Sequence, residues 1–373
     1  MGLPRFTLVE IRKHCVTDKL PGEVHGQVEG RTQKQTRDAK PYLEVQLRDG
    51  TGLFTFRVWQ DHESYPFLLH AAIGTFLGVT GEFSISPQYG LEVRNYVIRA
   101  LGPEEVAGVV DGPATLREKQ ASDFRYVEEV VTQLRDPRLR RLAELFLGEF
   151  GERFRRTAGA RYYHHARRGG LVEHVAQMLR TARAFALVYP QLNADLLCCG
   201  VLFHDCGKMW ENCFPKDGLL MAHDTRGELV GHITIGIEVV NRLWNRLRSM
   251  EEYSRWHLLT PDSESVHLHL LHLVAAHHGE KSFGSPVEPK TPEAVALHFI
   301  DNLDARLETM AAAYETGNRL SEDIIEKVRP LSTNVVTPLP AVVDTRAGQK
   351  QAAWLIKREA YPADLPFDLP LAP

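Results

Sequence analysis

The chain has 373 residues, 43% of them hydrophobic and 25% charged, with a formal net charge of −4. That length exceeds one ordinary hydrophobic core, so two domains are expected. The net charge excludes a global attraction to nucleic acid, which leaves only local patches for such binding.

No run approaches the roughly 20 apolar residues that a bilayer span needs, and residues 1–10 lack the layout of a secretory signal, so no membrane partner is expected. Cys15, Cys198, Cys199, Cys206 and Cys213 form an odd set without a CxxC pair. Reduced thiols and a cytoplasmic location follow as the expectation.

Residues 22–30, 42–47, 53–59, 75–83 and 91–100 read as strands, with a short helix over 62–71. The step Asp49-Gly50 between two apolar runs signals a hairpin, because glycine accepts the positive φ of the turn. Five strands with a helix between the third and fourth suit an OB-type β-barrel over residues 1–102. Residues 103–120 hold glycines, prolines and acids without periodicity and read as a linker.

Helical spacing then dominates, over 123–150, 171–188, 194–203, 232–247, 265–276 and 292–314. Thr291 and Pro292 punctuate the start of the last helix, and Gly317 its end. The expected fold class is therefore multidomain: a five-stranded barrel, then an all-α domain over 121–325. Residues 326–373 form a proline-rich tail, expected to wrap the surface or stay mobile.

Histidines carry the chemistry. His174 lies early in one predicted helix, and His204-Asp205 ends the apolar run LLCCGVLF. His232 follows Gly231, His277-His278 precede Gly279, and Asp301 lies within the last helix. This mixed imidazole and carboxylate set exceeds what one tetrahedral zinc needs and would serve two divalent ions sharing Asp205. Such a pair can hold the attacking and leaving oxygens of a phosphoryl group. Manganese suits the donors best, with iron, cobalt or magnesium as alternatives. Lys208, three residues beyond Asp205, can face the same pocket and stabilise phosphate charge. His269, His272 and His298 are expected to line the core near the site.

The order His174, His204-Asp205, His232, His277-His278, Asp301 resembles the HD superfamily of metal-dependent phosphohydrolases. Three segments narrow the resemblance to the YhaM-type 3′-5′ exoribonucleases: HHARRGGLVEHV (164–175), LFHDCGK (202–208) and AHHGEKSFGSP (276–286). LHFIDNLDARL (297–307) extends it, and an OB-type domain before the HD domain is that family's architecture. The resemblance implies His174, His204, Asp205 and Asp301 as the basic ligand set, with His232, His277 and His278 as the extra ligands of the dinuclear branch. Some dinuclear relatives carry a glutamate one turn before the first histidine, where this chain has Gly170.

A path for RNA is expected along residues 151–170, where Arg153, Arg155, Arg156, Arg161, Arg167 and Arg168 stand against one acid, Glu152, with Tyr162, Tyr163, His164 and His165 interleaved. In the first barrel loop, Arg31, Lys34, Arg37 and Lys40 add positive charge, and Tyr42, Phe54, Phe56 and Trp59 include candidate stacking residues. His164, His165, Arg167, Arg168, Lys208, Arg31 and Lys34 are thus the substrate-binding candidates, with Asp205 and Lys208 catalytic.

The reading is a metal-dependent 3′-5′ exoribonuclease releasing nucleoside monophosphates from single-stranded RNA through a metal-activated water. Single-stranded DNA is a second candidate substrate, and a homo-oligomer is compatible with the sequence. The alternatives are an HD phosphodiesterase for cyclic or small nucleotides, and a nucleic-acid-binding protein without catalysis.

Overall fold

A computed structural model describes residues 3–15, 19–86, 90–161 and 165–340. The N-terminal part is a six-stranded sheet of β1 (Arg5–Phe6), β2 (Leu20–Gln35), β3 (Pro41–Arg48), β4 (Leu53–Trp59), β5 (Phe76–Ser86) and β6 (Gly90–Ala100). Helix α1 (Leu8–His14) precedes β2, and α2 (Tyr65–His70) lies between β4 and β5. All five predicted strands are present. The short β1 and α1 carry no alternation to announce them; α1 is set by a capping box between Thr7 and Glu10 and by burial of Leu8 and Ile11.

The main path runs β4-β3-β2-β5-β6 and is antiparallel, with β1 adding to β2 in parallel. Residues 20–27 of β2 pair with β5 and residues 27–35 with β3, and the register slips between Val28 and Gly30. One long strand therefore serves both halves of the sheet. Among the described residues no ladder joins the outer strands β4 and β6, so the hydrogen-bonded sheet stays open. Its core is the alternating set Leu43, Val45, Leu47, Phe54, Phe56 and Val58, packed with Val24, Val28, Leu77, Val79 and Phe83. In the Asp49-Gly50 turn the Asp49 carboxylate accepts from the backbone N–H groups of Thr51, Gly52 and Leu8.

Ten α-helices follow among the described residues: α3 (Pro103–Asp111), α4 (Ala114–Gln133), α5 (Pro137–Phe154), α6 (Gly170–Val188), α7 (Ala194–Phe203), α8 (Lys208–Glu211), α9 (Thr225–Val230), α10 (His232–Arg248), α11 (Ser263–Ala276) and α12 (Pro292–Thr316). The predicted irregular linker at 103–120 is helical instead, as α3 and the start of α4. Pro103 opens α3 and Gly112, at φ +72°, closes it, so residues that suggested a loop act as helix boundaries. The single helix predicted over 123–150 is divided at 134–136. Pro137 opens α5, and Asp136 caps it through the N–H of Arg138.

One apolar core joins α4 to α8 and α10 to α12, with Phe146, Phe154, Phe203, Trp244 and Leu270 among its fully buried members. Cys15, Cys198, Cys199 and Cys206 are buried, Cys213 is half-buried, and all five are free thiols. Among the described residues no helix is long and apolar enough to cross a membrane.

The chain divides into two compact units, residues 1–301 and 302–373. In the second, the end of α12 and the hairpin of β7 (Ile324–Ile325) with β8 (Val335–Val336) bury Ala313, Ile325 and Val335. The predicted tail from 326 therefore begins by pairing back on β7, while residues from 341 onward lie outside the described residues.

Candidate metal centre

Four chain segments converge at the C-terminal end of α7. The buried run of α7 ends at His204, whose Nδ1 donates to the Val201 carbonyl at 2.8 Å. The chain then turns through Asp205 to Gly207. A Cβ on Gly207 would stand 1.9 Å from the His232 carbonyl oxygen, so only glycine lets the first residue of α10 close onto this turn. His174 projects from the second turn of α6, His277 and His278 follow the end of α11, and Asp301 lies on α12. At Gly170 a Cβ would lie 2.0 Å from the His165 carbonyl oxygen, which explains why this position holds no glutamate.

Asp205 divides the cluster. Its Oδ2 lies 3.2 Å from His204 Nε2 and 3.8 Å from His174 Nε2. On the same side Asp301 Oδ1 is 3.3 Å from His174 Nε2 and 4.0 Å from His204 Nε2. The other oxygen, Oδ1, lies 3.6 Å from the Nε2 atoms of both His232 and His277, and His278 Nε2 is 3.3 Å from His232 Nε2. His174, His204, Asp205 and His277 are buried, whereas His232, His278 and Asp301 keep partial access to solvent.

The hydrogen bonds show what this donor set can hold. Carbonyl and carboxylate oxygens only accept, so His277 Nδ1 must donate to Val274 O and His278 Nδ1 to Phe283 O, each at 2.8 Å. His232 Nδ1 likewise faces Glu211 Oε2 at 3.2 Å. In their neutral form these rings present bare Nε2 lone pairs to one another. His277 Nε2 and Asp205 Oδ1 are buried without a hydrogen-bond partner. Lone pairs crowded around an unsatisfied carboxylate oxygen repel unless a cation lies among them. The residues present therefore fit bound metal, and His174, His204, Asp205 and His232, His277, His278 form two groups of convergent ligand atoms.

The electrostatics agree. Burial alone would raise the Asp205 carboxyl pKa, but Lys208 and the adjoining imidazoles hold it well below the usual range. Asp301 is likewise held low against its burial by His174 and His204. Burial pushes the His277 and His278 pKa values down and favours the neutral rings that ligate. Lys208 Nζ lies 2.6 Å from Asp205 Oδ2, and the charges of Asp205 and Asp301 raise its pKa against burial.

The metal candidates and Lys208 thus come together; most of the predicted substrate contacts do not. His164, Tyr162 and Tyr163 lie outside the described residues. His165 is buried, with its ring 5.4 Å from that of His174. Arg167 forms an ion pair with buried Glu173. Arg168 donates to the carbonyls of Pro215 and Lys216, Arg153 to Met209, Arg156 to Phe214, and Arg161 to Glu211, Met221 and Ala222. Arg153, Arg156, Arg161 and Arg168 are therefore engaged by main-chain carbonyls of residues 209–222 rather than lining an open path, while Arg155 stays exposed beside Glu152 and Phe124. Arg31 donates to the Leu68 and Ala71 carbonyls at the end of α2, and Lys34 pairs with Glu44 on the surface.

His298 supports the site by donating to the His277 carbonyl, while His272 accepts from the Lys290 N–H. Sequence reasoning missed Glu211 and Glu173. Glu211 falls three residues after Lys208, at helical spacing from it, and Glu173 adjoins His174.

Residues 171–306 match the HD domain family. Over 283 residues the chain is 31% identical to a 3′-5′ exoribonuclease YhaM from Bacillus licheniformis, covering 74% of this chain and 82% of that relative. The Bacillus pumilus YhaM is 30% identical over 298 residues, covering 79% of this chain and 87% of the relative. The Bacillus subtilis YhaM is 30% identical over 279 residues, covering 74% and 82%. A hydrolytic centre in an HD domain and this extent of likeness lead to one conclusion: the chain belongs to the YhaM family of 3′-5′ exoribonucleases.

Proposed function

We propose that this hydrolase requires two divalent ions and degrades single-stranded RNA from its 3′ end to nucleoside monophosphates. His174, His204, Asp205 and Asp301 would hold one ion, and Asp205, His232, His277 and His278 the other, with manganese the best match. The observation that carries this reading is that Asp205 turns one oxygen toward each imidazole set. Bound ions would supply Lewis acidity at the phosphate and lower the pKa of water toward about 7.

The chain's own residues do the rest. Lys208 places positive charge beside Asp205, where it can meet phosphate oxygens. Glu211 holds the His232 ring, and the Val201, Val274 and Phe283 carbonyls orient the rings of His204, His277 and His278. Cys206, the thiol beside Asp205, is buried with its pKa raised by burial, so it is not poised as a nucleophile. The N-terminal sheet would act as the OB-type RNA carrier. Phe54 and Phe56 belong to its core, which leaves the exposed Trp59 and the neighbouring Tyr42, ring centroids 5.1 Å apart, as the stacking pair.

The test strips the protein with a chelator, reloads manganese, magnesium or zinc singly, and supplies end-labelled single-stranded RNA, single-stranded DNA and a cyclic dinucleotide. Metal-restored release of monophosphates from the RNA 3′ end is expected. Hydrolysis that survives chelation, or that is confined to the cyclic dinucleotide, refutes the proposal.

A further inference from the structure

Strand alternation assigns Val24 and Val28 to the sheet core, so Gln27 belongs to the opposite face. It is nonetheless only 7% exposed. Its Oε1 accepts from the Leu219 N–H at 2.7 Å, and its Nε2 donates to the Gly74 carbonyl at 2.9 Å. Leu219 lies in the segment between α8 and α9 whose carbonyls the arginines hold: Arg156 at Phe214, Arg168 at Pro215 and Lys216, Arg161 at Met221 and Ala222. Gly218 fits closely here, since a Cβ on it would stand 3.2 Å from Gln27 Nε2. The segment follows directly on Glu211, the last residue of α8, whose carboxylate accepts from the His232 N–H at 2.6 Å. Glu211 and Leu219, eight positions apart, thus join a contact with a metal-site histidine to a contact with the sheet.

We infer that Gln27 is a positioning residue: with the arginine-held segment 212–222 it sets the register between the sheet and the metal centre. RNA lying on the sheet would then present its 3′ end at a fixed distance from the site. The inference rests on the reading of the sheet as RNA carrier. A side-chain amide suits the task because it donates and accepts at once without charge. Alanine loses both bonds. Glutamate keeps the acceptor for Leu219 but turns the donor toward Gly74 into a repulsion.

The experiment uses the full-length, manganese-loaded protein with a dinucleotide and with 5′-labelled RNAs of increasing length. Rates are combined with amide exchange at Leu219. Gln27→Ala should leave dinucleotide turnover within about twofold and raise KM on long RNA about fivefold, the equivalent of one lost hydrogen bond. It should also spread the length at which digestion stalls and speed exchange at Leu219, while Gln27→Glu should restore the protection and part of the sharp end point. Unchanged KM and stall length despite lost Leu219 protection would overturn the inference. So would an equal loss on dinucleotide and long RNA, which would assign Gln27 to general stability. A wild-type KM that does not fall with RNA length would instead remove the RNA-carrier reading, and this inference with it.

Discussion

Lys208 Nζ lies 2.6 Å from Asp205 Oδ2, the oxygen that also faces His204. Without metal this ammonium balances the buried carboxylate, and a bound cation would compete for that oxygen and leave the lysine for phosphate. Lys208→Ala should therefore keep its metal but lose turnover by about 10²–10³, the range for removing one charge-stabilising donor. Asp205→Ala should lose both while retaining helical content. Metal analysis and steady-state rates on both variants check this; Lys208→Ala depleted of metal as fully as Asp205→Ala would contradict the division of roles.

Glu211 accepts from the His232 N–H and also faces its Nδ1. Burial would raise the Glu211 pKa, but the hydrogen bonds from His232 lower it. Glu211→Gln should weaken metal binding by about 10–100-fold, as loss of a ligand-orienting group does elsewhere. Chelator-buffered manganese titrations provide the measurement, with circular dichroism to show an intact fold. Wild-type affinity would mean that the His232 ring is held by packing alone.

Glu173 is buried beside Arg167, Lys119 and Gln120, and Gln120 also donates to the Arg168 carbonyl. This network ties α4 to the turn that precedes α6. Glu173→Ala should cost about 3 kcal/mol, at the low end for breaking a buried ion pair because Arg167 and Lys119 retain some solvent. A urea-unfolding double-mutant cycle with Arg167→Ala should show strong coupling; additive losses would count against the pairing.

His267 stacks on Trp244 with ring centroids 4.7 Å apart and 4° between the planes, and its Nε2 is buried without a partner. Burial pushes its pKa below the ordinary 6.5. Below pH 6.5 the unfolded chain takes up a proton that the folded ring resists. This contribution to stability is therefore fully present above 6.5 and is lost as pH falls through the depressed value. His267→Phe keeps the stacking and removes the titration. Its melting temperature should decline less than that of wild type between pH 7 and 5; parallel declines would disprove the assignment.

Alternation and helical spacing were enough to locate five strands and most helices, because burial on one face imposes those periods on the chain. The residues of the proposed metal site were equally conspicuous, since His204-Asp205, His232 and His277-His278 stand where apolar runs begin or end. Periodicity did not reveal the break at Asp136-Pro137, where Asp136 is held by Arg138 and the two helices share one core. Charge misled in the basic run, because a guanidinium looks the same in sequence whether it meets RNA or a loop carbonyl. The division of Asp205 between two imidazole sets, the hold of Glu211 on His232 and the burial of Gln27 under Leu219 depend on contacts between segments far apart in the chain. Sequence spacing carries no distance across such gaps, so only the packed tertiary structure could decide them.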